Sequence, residues 1–147
     1  MPEDTHSHAA EGTFVFARRG AIRYLESTPL CAHDFLSHAF CTRWGGVSTG
    51  RLADLNFGAH VGDKAECLAH NRERLRSAFD LPGDNPMTVQ QVHGDRLLVI
   101  DRSLHAGAGN GPLAYDGIIT PLQGIAIGIK TADCVPLLIV DLQRHVI

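Results

Sequence analysis

The sequence predicts an α/β (α+β) unit that is strand-rich, with mixed or antiparallel pairing. Three observations lead there. One segment, residues 63–80, carries apolar side chains at helical spacing. Most of the remaining patterned chain alternates or runs apolar over lengths suited to short strands. No repeat or linker divides it, so residues 13–147 read as one domain behind a polar N-terminal stretch, 1–12, expected to fray.

Taken in order, residues 13–17 and 21–25 flank Arg18-Arg19-Gly20 and predict a hairpin. Residues 37–42 are a third strand candidate. Residues 44–62 hold five glycines and no clear period. A loop of that length in a compact domain is usually functional or mobile. In the helix, Asp63 is placed to cap the N-terminus, with Glu66 three residues on, as in a capping box. Ala65, Leu68, Leu75, Ala78 and Phe79 form its apolar face, and Leu81-Pro82-Gly83 stops it. Strands are then expected at 87–92, 96–101, 117–120, 125–131 and 135–141, paired in mixed or antiparallel fashion. Gly107, Gly109 and Gly111 make residues 103–113 a flexible connection.

Composition bounds the function. The chain has 147 residues, enough for one domain with a real core. An apolar fraction of 44% and a charged fraction of 20% are those of a soluble globular protein. A net charge of -3 gives no basic surface for nucleic acid or for a membrane. The apolar runs fall far short of the ~20 residues of a membrane helix. The acidic N-terminus has no secretory h-region, which points to the cytoplasm. The four cysteines fit no disulfide framework and no C-x-x-C knuckle, so reduced thiols are expected.

Two segments concentrate the chemistry. Gln91-Val92-His93-Gly94 and Thr131-Ala132-Asp133-Cys134 each place a soft-metal ligand at the end of a strand-like run. Imidazole and thiolate suit zinc or copper. With nine histidines in the chain, residue type alone makes any one of them a weak candidate. Cys134 has the competing reading of an inert small hydrophobe. Asp133 is a candidate to orient a histidine or act as a general base, against the plainer role of a turn carboxylate. Arg43 with Gly45-Gly46-Val47-Ser48 offers a guanidinium and backbone N–H groups to an anion. Asn56 and His60 add polar groups to the same loop, where hydrogen bonding within the loop is the plainer role for His60.

The order of these segments is more specific than any one of them. Thr42-Arg43-x-Gly45-Gly46-Val47-Ser48, then Leu55-Asn56-x-Gly58-x-His60-Val61-Gly62-Asp63, Asn71-Arg72, Gln91-Val92-His93-Gly94, Asp116 with Thr120, and Thr131-Ala132-Asp133-Cys134-x-Pro136 follow one another. The series, from about Ala39 to Asp141, closely resembles the laccase-domain or multicopper polyphenol oxidase family. The resemblance implies a mixed, strand-rich α/β sheet sandwich with flanking helices, incomplete at the C-terminus, so that residues 13–147 would be a single laccase-type domain truncated before its last third. It implies zinc-dependent cleavage of purine nucleosides by phosphate, with adenosine deamination also expected. The oxidase label implies copper-dependent phenol oxidation, and one branch of the family is linked to peptidoglycan-precursor editing. His93 and Cys134 match two of the family's metal ligands. The third is the histidine of an H-A-G-W-R-G motif, which is absent here and which the resemblance places beyond Ile147.

The resulting expectation is a zinc enzyme, with copper as the alternative metal and a purine nucleoside and phosphate as partners. His93 and Cys134 hold the metal, Asp133 and Cys134 are catalytic, and Arg43, Asn56 and Gln91 bind substrate. His93 and Cys134 would then share one ion, with donor atoms roughly 3–4 Å apart. His145 is not expected as the third ligand, because a two-residue turn at Leu142-Gln143 would set it opposite residue 140. Two other classes compete. One is a metal-free hydrolase with Cys134 as nucleophile and His93 as base. The other is a truncated binding module. A multicopper laccase needs more histidine ligands than these motifs supply.

Overall fold

The computed structural model describes residues 13–81, 86–102 and 114–147. Its elements are mixed, as expected. Strands β1 (Phe14–Arg19), β2 (Ile22–Ser27) and β3 (Phe40–Cys41) form an antiparallel sheet in that order. Gly20, at φ 57°, makes the β1–β2 turn, a conformation glycine adopts without steric cost. The register pairs Phe14 with Ser27 and Arg19 with Ile22. Strands β4 (Met87–Thr88), β5 (Leu97–Val99), β6 (Gly117–Ile119) and β7 (Ile127–Gly128) make two parallel pairs, β4 with β7 and β5 with β6. Parallel pairing requires a crossover, and α1 (Ala65–Phe79) lies between the antiparallel sheet and these pairs in the chain.

Two apolar clusters hold the fold. Ile22, Tyr24 and Leu55 are buried together, with Cys41, Ala78 and Phe79 against them. The Tyr24 and Phe79 rings meet edge to face, centroids 4.9 Å apart. Val89, Leu98 and Ile100 form the second cluster under Tyr115, Ile118 and Ile127. Thr120 lies buried between backbone segments. Its hydroxyl donates to the Ile100 carbonyl at 2.9 Å and accepts from the Leu122 N–H at 3.1 Å.

Several expectations need correction. Asp63 does not cap α1. The cap position is Lys64, with no side-chain capping bond, and the Asp63 carboxylate is drawn to the loop instead. Asp80, in the left-handed region at φ 48°, ends the helix, and its N–H donates to the Arg76 carbonyl. Residues 135–140 form no strand. A strand needs a hydrogen-bonding neighbour, and none lies against them among the described residues. Val135 and Ile139 are accordingly 85% and 75% exposed. The following turn is wider than two residues: Asp141 pairs with Val146, leaving residues 142–145 between them. The Asp141 carboxylate organises it by accepting from the Gln143 and Arg144 N–H groups. The expected frayed segment 1–12, the Pro82-Gly83 stop and the flexible connection 103–113 lie outside the described residues.

Candidate functional site

The Gln91-Val92-His93-Gly94 segment leaves the sheet where Gln90 bridges Ala114, and there it turns around one carboxylate. Asp116 Oδ1 accepts from the Val92 N–H at 2.9 Å and the His93 N–H at 2.8 Å, and Oδ2 accepts from the Gly94 N–H at 2.8 Å. Three converging donors are an anion nest built from backbone. They force His93 into the left-handed region, φ 59°, which is uncommon for a residue with a Cβ. The His93 side chain stands exposed on this fixed turn, and Gln91 is half-buried beside it in sequence. Desolvation pushes the Asp116 pKa up, but the three N–H bonds outweigh it, and the net shift is downward. Asp116 is itself anchored, because its own N–H donates to the Arg96 carbonyl at 2.9 Å where β5 and β6 begin.

Arg43 and Asn56 belong to a second polar centre, in the glycine loop. The Arg43 carbonyl accepts from the Asp54 and Leu55 N–H groups at 3.1 and 2.8 Å, which sets the two arms of the loop side by side. The guanidinium returns to the same arm: Nε donates to the Ala53 carbonyl at 2.8 Å, and Nη2 reaches the same oxygen. This holds the exposed Arg43 side chain by one edge. Asn56 is engaged within the loop. Its Oδ1 accepts from the Gly58 N–H at 2.9 Å, and its Nδ2 donates to Asp63 Oδ2 at 2.8 Å. The Asn56 and Ser48 side-chain bonds hold the Asp63 carboxyl below its ordinary pKa. Close approach explains the paired glycines. A Cβ on Gly45 would lie 2.2 Å from the Ala21 carbonyl oxygen, and one on Gly46 would lie 1.9 Å from that of Asp54. His60 is exposed in a short 3₁₀ turn, Ala59–Val61.

Sequence reasoning gave Asn71 no role. It is fully buried on α1, at the centre of the loop's hydrogen bonds. Its position three residues after Leu68 and four before Leu75, on the helix's inner stripe, was the available signal. A polar residue on an apolar stripe demands a partner.

Cys134 is exposed, with Sγ 3.9 Å from Asp133 Oδ1, too long for more than a weak thiol contact. Among the described residues, no three His, Cys, Asp or Glu side chains gather as a metal site. The donor chemistry of His93 and Cys134 still fits a soft or borderline ion: one imidazole and one thiol, both exposed. His145 is engaged elsewhere, its ring stacked on Phe35 with centroids 4.1 Å apart and an interplanar angle of 19°. No helix among the described residues is long and apolar enough to cross a membrane.

The candidate residues of the mixed α+β domain thus lie on two loops, each fixed by a side chain that bonds to loop backbone, Asp116 in one and Asn71 in the other. The chain belongs to the multi-copper polyphenol oxidoreductase laccase family, whose model matches residues 37–147. It is 40% identical over 105 residues to a purine nucleoside phosphorylase of Mycobacterium tuberculosis, Rv2149c, covering 71% of this chain and 40% of that protein. It is 39% identical over 110 residues to a purine nucleoside phosphorylase of Deinococcus radiodurans, covering 75% and 40% respectively. The crystal structure of YlmD from Geobacillus stearothermophilus superimposes with a TM-score of 0.75 at 27% identity, over 91% of this chain and 50% of that one. The chain thus spans about two fifths of the length of these curated relatives.

Proposed function

We propose that this chain is part of a zinc-dependent purine nucleoside phosphorylase. The observation that carries the reading is the likeness, at 38–40% identity, to relatives named purine nucleoside phosphorylase. Phosphorolysis breaks the N-glycosidic bond and forms a bond from a phosphate oxygen to C1′ of the ribose. The departing purine nitrogen must take up a proton or have its negative charge stabilised.

The chain's own residues divide this work. Arg43, held by one edge to the Ala53 carbonyl, presents its remaining N–H donors to phosphate. The Gly45-Gly46 backbone lies beside it. Gln91 and Asn56 orient the nucleoside, Asn56 chiefly by shaping the loop. Asp133 accepts or returns a proton, beside Cys134 in sequence. His93, fixed by Asp116, and Cys134 hold the metal, with a third ligand from sequence beyond Ile147. Bound zinc would act as a Lewis acid at the site, or lower the pKa of a bound water. The same chemistry would deaminate adenosine through an activated water, and copper in its place would account for the oxidase label. The cytoplasm, where phosphate and nucleosides are plentiful, is the proposed location.

The test uses the full-length protein, loaded with zinc and supplied with inosine or adenosine and phosphate. Release of free purine base with ribose 1-phosphate is expected, together with about one zinc per chain. Metal-loaded protein that leaves both nucleosides intact removes the reading. Turnover that survives complete metal removal, yet is abolished by alkylating Cys134, would support a cysteine hydrolase instead.

A further inference from the structure

We infer that Asn71 is a positioning residue for the phosphate site, acting through the loop arm 53–56. The inference rests on the phosphorolysis reading above and assigns the part of the site that sets phosphate affinity. Asn71 is completely buried, and its carboxamide is used on both sides. Oδ1 accepts from the Val47 N–H at 2.8 Å, on the first arm of the loop. Nδ2 donates to the carbonyls of Asp54 and Asn56 at 3.2 and 2.8 Å, on the second arm. It also meets Ser48 Oγ at 3.0 Å, and that hydroxyl donates onward to Asp63 Oδ2 at 2.6 Å. One side chain therefore staples two arms of a loop that has little regular structure of its own.

The second arm is the one that grips Arg43. Residues 54 and 55 bind its carbonyl, and the Ala53 carbonyl binds its guanidinium. Fixing 54 and 56 from below thus fixes where Arg43 stands. A second residue of α1, one turn on, braces the first arm. Arg74 Nη1 donates to the Gly45 and Gly46 carbonyls at 2.9 and 2.8 Å. With their carbonyls turned to Arg74, the glycine loop takes its orientation from the same helix. An aimed guanidinium binds phosphate better than one free to rotate, because less freedom is lost on binding.

Two substitutions in the full-length enzyme test this. Asn71→Asp keeps the shape but aims a carboxylate at two carbonyls, and Asn71→Ser removes the bonds to both. Each should lower the melting temperature. In the folded protein each should also raise the KM for phosphate about tenfold, as expected when a binding group shifts by a fraction of an ångström, with zinc content and the KM for nucleoside unchanged. Ser48→Ala is the control: Asn71 Nδ2 keeps both carbonyl partners and Asp63 keeps its Asn56 bond, so its phosphate KM should stay within about twofold of the parent. A purely structural role would lower stability and leave the phosphate KM alone. Parent enzyme that cleaves nucleosides, with folded Asn71 variants whose phosphate KM lies within about twofold of it, overturns the inference and leaves the function standing, as does failure of both variants to fold. Parent enzyme with no phosphate-dependent cleavage overturns both.

Discussion

Asp116 holds His93 by its backbone: Oδ1 lies 2.8 Å from the His93 N–H, in a nest completed by Val92 and Gly94. The carboxylate comes from the residue before β6, so the orientation of a candidate ligand is set by the sheet. Replacing Asp116 with Ala should release the turn. Amide exchange at His93 and Gly94 should speed up, and zinc affinity of the full-length protein should fall by about 10- to 100-fold, the usual cost of losing an orienting group behind a ligand. Unchanged exchange at both amides would show that the turn is held by something else.

Gly46→Ala should be among the most damaging small substitutions in the chain. Its Cβ would sit 1.9 Å from the Asp54 carbonyl oxygen and 2.5 Å from Leu55 Cα, both backbone. Neither can move without breaking the Asn71 staple. Overpacking typically costs about 1–3 kcal/mol, and a clash with rigid backbone belongs at the upper end of that range. Gly94→Ala is the comparison, since its nearest neighbour, Asp116 Oδ2, stands at 3.4 Å. A denaturant melt that finds the two variants equally stable would refute the close approach at Gly46.

Acid should loosen the loop and the helix. Asp63 has its pKa lowered by the Asn56 and Ser48 bonds, and Glu73 is drawn from 4.5 down to about 2 by Arg76 and Ser77. A carboxyl whose folded pKa is depressed contributes stability above its unfolded pKa. That contribution is lost as pH falls through the folded value. Urea midpoints should therefore decline as pH drops below about 4.5 and continue falling toward about 2. In Asp63→Asn the decline should be shallower; an identical slope would mean that Asp63 is not part of it.

The thiols should separate by reactivity. Burial pushes the Cys41 thiol up to about 11, whereas Cys31 and Cys134 are exposed. Iodoacetamide at pH 8 should label Cys31 and Cys134 in the native protein and reach Cys41 only after unfolding, because the thiolate is the reacting form. Mass spectrometry showing early Cys41 labelling would contradict the packing of the first core.

Local pattern made much of this legible. The β1–β2 hairpin, α1 and the β5 and β6 segments follow from alternation and helical spacing alone. The capping of α1 is not legible locally, because Asp63 has two claims on it, the helix end and the Ser48–Asn56 pair, and the loop wins. Partner choice is non-local, so the strand pattern at 135–141 does not encode that, among the described residues, no neighbour pairs with 135–140. Asp116 and Asn71 stood in the family-like series without a role. Their work is hydrogen bonding to backbone 15 to 24 residues away, which no spacing rule encodes.

His145 should not contribute to metal binding. The two-residue turn expected from the sequence does not form, since the Asp141–Val146 pair encloses four residues. The wider turn strengthens the conclusion. Pairing symmetric about it moves the position opposite Cys134 further past Ile147, while His145 stays at the tip with its ring on Phe35. His145 is held there by its stack on Phe35, and it belongs to no group of three candidate ligands among the described residues. His145→Ala should leave zinc content unchanged in both the 147-residue chain and the full-length protein, while costing a little stability through the lost stack. The 147-residue chain should bind zinc weakly, with His93 and Cys134 as its family-matched ligands, and a chain extended through the following strand should bind it tightly. Equimolar, tightly held zinc in the 147-residue chain that disappears in His145→Ala would overturn this assignment and make His145 the third ligand.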